Sequence, residues 1–239
     1  MGVDAIRLLA AEPGLSALVL DVDGTLAPIV PRPEDARVPA ATRAELERLA
    51  TRYRLLAFLS GRAGEDARRV VGLDGRYVGL HGLELEPAAE RWRGTVHGVA
   101  TTHWPWGDAE DKGLTVSFHY RNADDQDAAR AAAEALADRA RAAGLVPRFG
   151  RKVLEIRPPV DADKGTAVRH LVCEAGVTRA LYAGDDTTDL DAFRGLREAG
   201  LELAVCVAVA SDEGPPELRA QADLVVDGPA GVVELLHQL

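Results

Sequence analysis

Two acidic runs are the residues of this 239-residue chain best suited to chemistry. The first is Asp21-Val22-Asp23-Gly24-Thr25-Leu26, and the second is Gly184-Asp185-Asp186-Thr187-Thr188-Asp189. Carboxylates this close repel one another unless solvent or a cation relieves them. Taken alone, the second run could be an acidic helix start, where negative charge is favoured. Two such runs, each directly after an apolar stretch, fit a magnesium site better, because magnesium takes oxygen ligands and keeps part of its water. The first run departs from a calcium loop: its fifth position is Thr25, and no glutamate stands at the required later position. Two further groups could handle an anion. Ser60-Gly61-Arg62 offers a hydroxyl and backbone amides that can hold phosphate oxygens at a helix start, although serine is also a common helix cap. Asp163-Lys164-Gly165 offers a lysine where a helix opens.

The elements that must position these groups are legible as apolar runs. Residues 17–20, 53–59, 76–80, 179–183, 203–210 and 224–226 are short and apolar enough for strands buried on both faces. Helical stretches are expected over 39–51, 64–71, 164–175, 190–199, 216–222 and 231–239. Strand alternating with helix predicts an α/β fold with a doubly wound parallel sheet. Such a sheet binds ligands beyond the carboxyl ends of its strands; three of the groups above follow such strands directly, and the fourth, Asp163-Lys164-Gly165, opens a helix. Residues 83–159 break the alternation. An irregular stretch carries Trp92, Trp104 and Trp106; a strand follows over 114–120, an alanine-rich helix over 124–143 stopped by Gly144, and a strand over 153–156. The expected organisation is a core of 1–82 and 160–239 with an α+β unit, 83–159, inserted into it.

Composition narrows the partners. A formal net charge of -10 argues against nucleic acid, which is bound through basic patches. A phosphorylated small molecule remains compatible, since a metal ion and a few cations can hold it locally. The apolar runs are far shorter than the roughly 20 residues of a membrane span, and no secretory signal is expected at the N-terminus. Cys173 and Cys206 lie in apolar patterns and read as small core residues in a reducing compartment. A cytoplasmic location and a single chain as working unit are the defaults. Of 28 basic residues only Lys112, Lys152 and Lys164 are lysines. All three lie in or beside the motifs discussed here.

Asp-x-Asp-Gly-Thr-Leu, then Ser, then Lys, then Gly-Asp-Asp-x-x-Asp, in that order and on those elements, resembles the haloacid dehalogenase (HAD) superfamily of phosphatases. The inserted unit resembles that superfamily's second (C2) type of cap. Asp-Val-Asp-Gly-Thr-Leu-Ala-Pro-Ile, Leu-Ser-Gly-Arg, Gly-Leu-His-Gly-Leu-Glu, Asp-Lys-Gly-Leu-Thr-Val-Ser-Phe-His-Tyr-Arg and Gly-Arg-Lys-Val-Leu-Glu-Ile-Arg-Pro are similar to the trehalose-6-phosphate phosphatases. The similarity runs from Leu18 to about Phe193. It departs between Glu90 and Asp111, where a long helix is expected from the family and a short Gly-, Pro- and Trp-containing stretch stands instead.

The resemblance implies hydrolysis of trehalose 6-phosphate through an aspartyl phosphate. Asp21 would be the nucleophile, and Asp23 the general acid and then base. Ser60 and Lys164 would bind the phosphoryl group. Asp21, the backbone carbonyl of Asp23, and Asp185 would hold Mg2+, with Asp186 and Asp189 orienting metal-bound water or Lys164. Arg62, Lys112, His119, Arg121 and Glu155 are the expected substrate-binding residues, Glu155 and Lys112 meeting sugar hydroxyls. The nearest rival is a phosphatase for another sugar phosphate, sucrose 6-phosphate or a mannosyl phosphate. A phosphomutase shares the core. A phospho-accepting signalling module would need neither Asp23 nor the insertion, and a sensor without catalysis would not need the full set of core residues.

Overall fold

The computed structural model describes residues 2–150, 152–211 and 214–239. Arg151, in the Gly-Arg-Lys motif, lies outside the described residues. In chain order the described residues form helix α1 (Gly2–Ala11), strand β1 (Ser16–Asp21), α2 (Ala40–Ala50), β2 (Leu55–Leu59), α3 (Gly64–Val71) and β3 (Arg76–Val78). Next come α4 (Pro87–Glu90), α5 (Arg93–Ala100), β4 (Glu110–Asp111), β5 (Val116–His119), α6 (Gln126–Ala142), β6 (Val146–Gly150) and β7 (Val153–Arg157). The last stretch gives α7 (Lys164–Ala175), β8 (Arg179–Gly184), α8 (Asp189–Arg197), β9 (Leu203–Ala210), α9 (Pro216–Gln221), β10 (Leu224–Asp227) and α10 (Gly228–His237). The described residues up to Gly82 and from Ala162 onward make one compact unit; Leu83–Asp161 make a second. The change-over lies two residues beyond the position expected from sequence.

In the first unit six parallel strands run in the order β10-β9-β8-β1-β2-β3. Every residue of β1 is buried, as its unbroken apolar run requires of a strand covered on both faces. Leu18, Leu20, Phe58, Leu181 and Val207 belong to one core cluster with α2, α3 and α10. Helix α7 opens on a capping box: Asp163 Oδ1 accepts from the Thr166 amide at 2.7 Å, and Thr166 Oγ1 accepts from the Asp163 amide at 3.1 Å. That box fixes where Lys164 begins its helix. Helices α7 and α8 meet glycine to glycine. A Cβ on Gly195 would lie 2.3 Å from the Gly165 carbonyl oxygen, so no larger residue permits this approach.

The second unit has an antiparallel sheet in the order β4-β5-β7-β6. Val116, Phe118, Leu154 and Ile156 form its buried core with the alanines of α6. Glu110, Ser117, Glu155 and Arg148 stand directly opposite one another across the four strands, so they share the other, polar face.

Four local features differ from expectation. The 90–111 stretch is not wholly irregular: α5 forms there, with Val96 buried and Val99 and Ala100 packed on the same cluster. Gly94 and Gly98 hide it, since each glycine lowers helix propensity by about 1 kcal/mol. Strand β6 contains Pro147, tolerable because β6 is an edge strand. Helix α1 precedes the first expected strand. Cys206 is buried as expected, but Cys173 is exposed on α7, so it is not a core residue. Among the described residues no helix is long and apolar enough to cross a membrane.

Candidate active site

Strand order reverses at β1: the chain leaves it for β2 on one side, and β8 pairs with its other edge. This is the crevice where open α/β sheets take ligands. The register brings the motifs level there. Asp21 pairs with Leu59, the residue before Ser60, and Leu20 pairs with Ala183, just ahead of Gly184-Asp185. The loop after β1 is tight: the amides of Leu26 and Ala27 both donate to the Val22 carbonyl, at 2.9 and 2.8 Å. Gly24 has φ +83°, and a Cβ on it would lie 2.0 Å from Asp185 Oδ2. Glycine is therefore required twice over, by its backbone and by the carboxylate resting against it.

Lys164 holds the centre. Its Nζ donates to Asp21 Oδ1 at 2.6 Å and to Asp189 Oδ1 at 2.7 Å, with all three side chains buried. Asp189 is fully committed. Its Oδ1 also accepts from the Tyr182 hydroxyl at 2.6 Å, and its Oδ2 accepts from the amides of Asp185 and Asp186 at 2.8 and 2.9 Å. Asp21, Asp185 and Asp189 each bring an oxygen within 4.8 Å of the others. Three carboxylates against one ammonium leave two negative charges uncompensated, and the proton affinities follow. Burial pushes the Asp21 carboxyl well above its usual range; Lys164 pulls it down, while Asp189 and Asp185 push it up again. Burial, then Asp189 and Asp186, push Asp185 up to about 7. Burial alone would lower the Lys164 ammonium, but Asp189 and Asp21 outweigh it and keep the group charged above its usual range.

Ser60 is buried, and its Oγ accepts from the Arg62 amide at 3.1 Å. The His81 amide donates to the Ser60 carbonyl at 3.0 Å, and a Cβ on Gly61 would lie 2.7 Å from His81 Nε2. Leu80 and His81 both hold positive φ, 53° and 55°, a conformation unfavourable to residues with a Cβ. Arg62 forks onto Asp23, Nε to Oδ2 at 2.7 Å and Nη2 to Oδ1 at 2.8 Å. Asp186 is engaged locally, its Oδ1 accepting from the amide and hydroxyl of Thr188 at 2.6 Å each. No hydrogen bond joins it to Lys164 among those of the described residues, so of the two expected orienting carboxylates Asp189 is the one that grips the lysine.

In the second unit, Lys112 and His119 meet on the polar sheet face, and Glu155 shares that face, one strand beyond Ser117. Glu110 joins them: Lys112 Nζ lies 3.4 Å and His119 Nε2 3.0 Å from its Oε2. The His119 hydrogen bond, followed by Lys112's charge, holds Glu110 below the usual carboxylate range against burial. Arg121 lies past the end of β5, exposed, its carbonyl accepting from Gln126 Nε2 at 3.3 Å. Lys152 Nζ donates to Gln126 Oε1 at 2.6 Å, a tie to α6.

Sequence reasoning did not find Glu110, Tyr182 or Asp66, and it gave no role to His81 within the Gly-Leu-His-Gly-Leu-Glu motif. Asp66 carried a signal: it stands four residues after Arg62 on an expected helix, the spacing at which side chains pair. Tyr182 carried none, being one more large residue in an apolar strand.

Comparison with known proteins bears on what this arrangement does. A family model described as trehalose-phosphatase matches residues 19–229. The trehalose-phosphate phosphatase of Mycobacterium avium (strain 104) is 35% identical over 258 residues, spanning 93% of this chain and 61% of that protein. The chain thus spans about three fifths of the length of that curated relative. The crystal structure of a trehalose-6-phosphate phosphatase related protein superposes with a TM-score of 0.73 at 25% identity, covering 92% of this chain and 95% of that one. A haloacid dehalogenase-like hydrolase from Bacteroides thetaiotaomicron shares the fold at 17% identity and a TM-score of 0.60.

Proposed function

Because the chain belongs to the trehalose-phosphatase family, we propose that it hydrolyses trehalose 6-phosphate to trehalose and phosphate, with Mg2+, through phosphate carried on Asp21. The observation that carries the reading is the buried Asp21 carboxylate at the sheet's crevice, bonded to Lys164 and flanked by Asp185 and Asp189.

The residues present suit a magnesium ion. The donors are all oxygens, two negative charges await compensation, and Asp185, at about 7, is a carboxyl that a divalent cation would strip of its proton. Asp21, the Asp23 carbonyl and Asp185 would hold it; Asp189, with both oxygens engaged, orients rather than ligates. When bound, magnesium neutralises charge between the carboxylate nucleophile and the phosphate.

The chain's own groups do the rest. Asp21 attacks phosphorus in line and becomes an acyl phosphate. Lys164 has three N–H donors, of which Asp21 and Asp189 take two. The third is left for a phosphoryl oxygen, and Ser60 Oγ supplies another contact. Asp23 protonates the departing sugar oxygen and later takes a proton from the water that hydrolyses the acyl phosphate. Lys112 and Glu155 are assigned to sugar hydroxyls, with His119 and Arg121 in supporting roles. The acidic chain, with two free cysteines, suits a small sugar phosphate as partner in a reducing, cytoplasmic setting.

The test is phosphate release from trehalose 6-phosphate, sucrose 6-phosphate, a mannosyl phosphate and glucose 6-phosphate, with and without magnesium. Preferred, magnesium-dependent turnover of trehalose 6-phosphate is expected, and Asp21→Asn should trap no covalent phosphate. Equal efficiency on glucose 6-phosphate would overturn the substrate. Full activity after EDTA treatment would overturn the metal.

A further inference from the structure

Arg62 is the expected substrate ligand whose surroundings fit that role least. Its side chain is 16% exposed. Besides the fork onto Asp23, its Nη1 donates to Asp66 Oδ2 at 2.7 Å and to the Pro33 carbonyl at 3.1 Å. Four of five guanidinium N–H donors are thereby engaged. The backbone is pinned as well, its amide on Ser60 Oγ at 3.1 Å and its carbonyl accepting from the Leu80 amide at 2.8 Å. Asp66 is held in turn: Arg69 Nε donates to its Oδ1 at 2.8 Å, and Arg69 Nη1 donates to the Glu34 carbonyl at 3.2 Å. A phosphate clamp needs free donors aimed outward. This guanidinium spends its donors inside the protein and is anchored from behind.

We infer that Arg62 is a positioning residue for Asp23, anchored by Asp66, and that it serves the hydrolysis of the phosphoenzyme rather than the binding of phosphate. The inference rests on the proposed role of Asp23. An arginine fork takes both oxygens of an ionised carboxylate, the form that accepts a proton. In the second half of the reaction the water's oxygen bonds to phosphorus and its proton passes to Asp23. The bond from phosphorus to the Asp21 oxygen breaks, its electron pair returning to the Asp21 carboxylate. Asp23 must stand at hydrogen-bond distance from that water. A carboxylate free to turn about two side-chain bonds would stand there only part of the time.

The experiment uses nitrophenyl phosphate, whose leaving group needs no proton, in stopped flow and at steady state. Arg62→Ala should leave kcat/KM within about threefold, because the first step is untouched. It should lower kcat and KM together by about tenfold to a hundredfold, the cost of misplacing one group, with a burst of nitrophenol near one per active site. Asp66→Asn should show the same pattern, weaker, from a residue remote from the phosphate. In an Asp23→Asn background Arg62→Ala should add nothing. Should Arg62→Ala fold poorly, Arg62→Lys keeps the charge, loses the fork and should show an intermediate burst. A tenfold loss of kcat/KM without a burst would make Arg62 a phosphate ligand and overturn the inference, as would unchanged kinetics in Arg62→Lys and Asp66→Asn. Wild-type protein that turns over nitrophenyl phosphate but not trehalose 6-phosphate would sink the sugar assignment alone.

Discussion

Replacing Lys164 with methionine keeps a side chain of similar length and strips the ammonium from between two buried carboxylates. At 2.6 and 2.7 Å each contact is worth roughly 6 kcal/mol of gross attraction at an effective dielectric constant of about 20. The lysine's own desolvation offsets most of that. What remains is the penalty for leaving a buried charge without its partner, about 3–5 kcal/mol. Asp189 keeps the Tyr182 hydroxyl and two amides, so the loss falls mainly on Asp21 and the lower end, about 3 kcal/mol, applies. That corresponds to a drop in Tm of about 6–12 °C for a chain of this size. Urea denaturation of metal-free Lys164→Met against wild type is the assay. The deficit depends on pH. Asp21 already has a raised proton affinity in the folded state, and losing Lys164 raises it further. A carboxyl raised in this way leaves stability intact below its unfolded value, near 3.8, and withdraws it as pH rises through the folded value. The variant should therefore fall furthest behind at pH 8 and recover toward pH 5. A deficit under about 1 kcal/mol at pH 8, or one that grows on acidification, would refute the buried-pair reasoning.

Asp185, at about 7, must lose a proton to ligate. Asp21, the other carboxylate ligand, is raised as well, so calorimetry in buffers of different ionisation enthalpy should find more protons released per magnesium at pH 6 than at pH 9, with weaker apparent affinity at pH 6; equal affinity at both would count against this assignment. Gly24→Ala should cost about 1–2 kcal/mol for its positive φ and displace Asp185, with phosphate release nearly abolished and magnesium affinity reduced; a fully active variant would show that the loop yields freely. Glu155→Ala should leave nitrophenyl phosphate turnover nearly unchanged and slow trehalose 6-phosphate roughly ten- to a hundredfold, the worth of a hydrogen bond to a charged group. Equal losses on both substrates would make Glu155 structural.

The central strands of the first unit were readable because they are apolar runs buried along their length, the edge strands β3 and β10 being half exposed; three of the four chemical motifs were readable because they follow such runs directly. The helix caps were local too: Gly72 and Gly176 end α3 and α7 with positive φ, and Asp163 with Thr166 opens α7 within four residues. Where local signals conflicted, reading failed. Gly94 and Gly98 concealed α5, Pro147 concealed β6, and the apolar neighbours of Cys173 implied a burial that the helix's orientation denies. What the side chains do to one another lay beyond local pattern altogether. Arg62 grips Asp23 across 39 positions and Lys164 grips Asp21 across 143. Both pairs exist because parallel strands place loops far apart in sequence along one sheet edge. Composition and periodicity decide which residues reach that edge. Only the close packing of α7 on α8 and the tight loops at Gly24 and Gly61 decide which carboxylate meets which cation, since those contacts depend on shifts of a few tenths of an ångström that no one-dimensional pattern encodes.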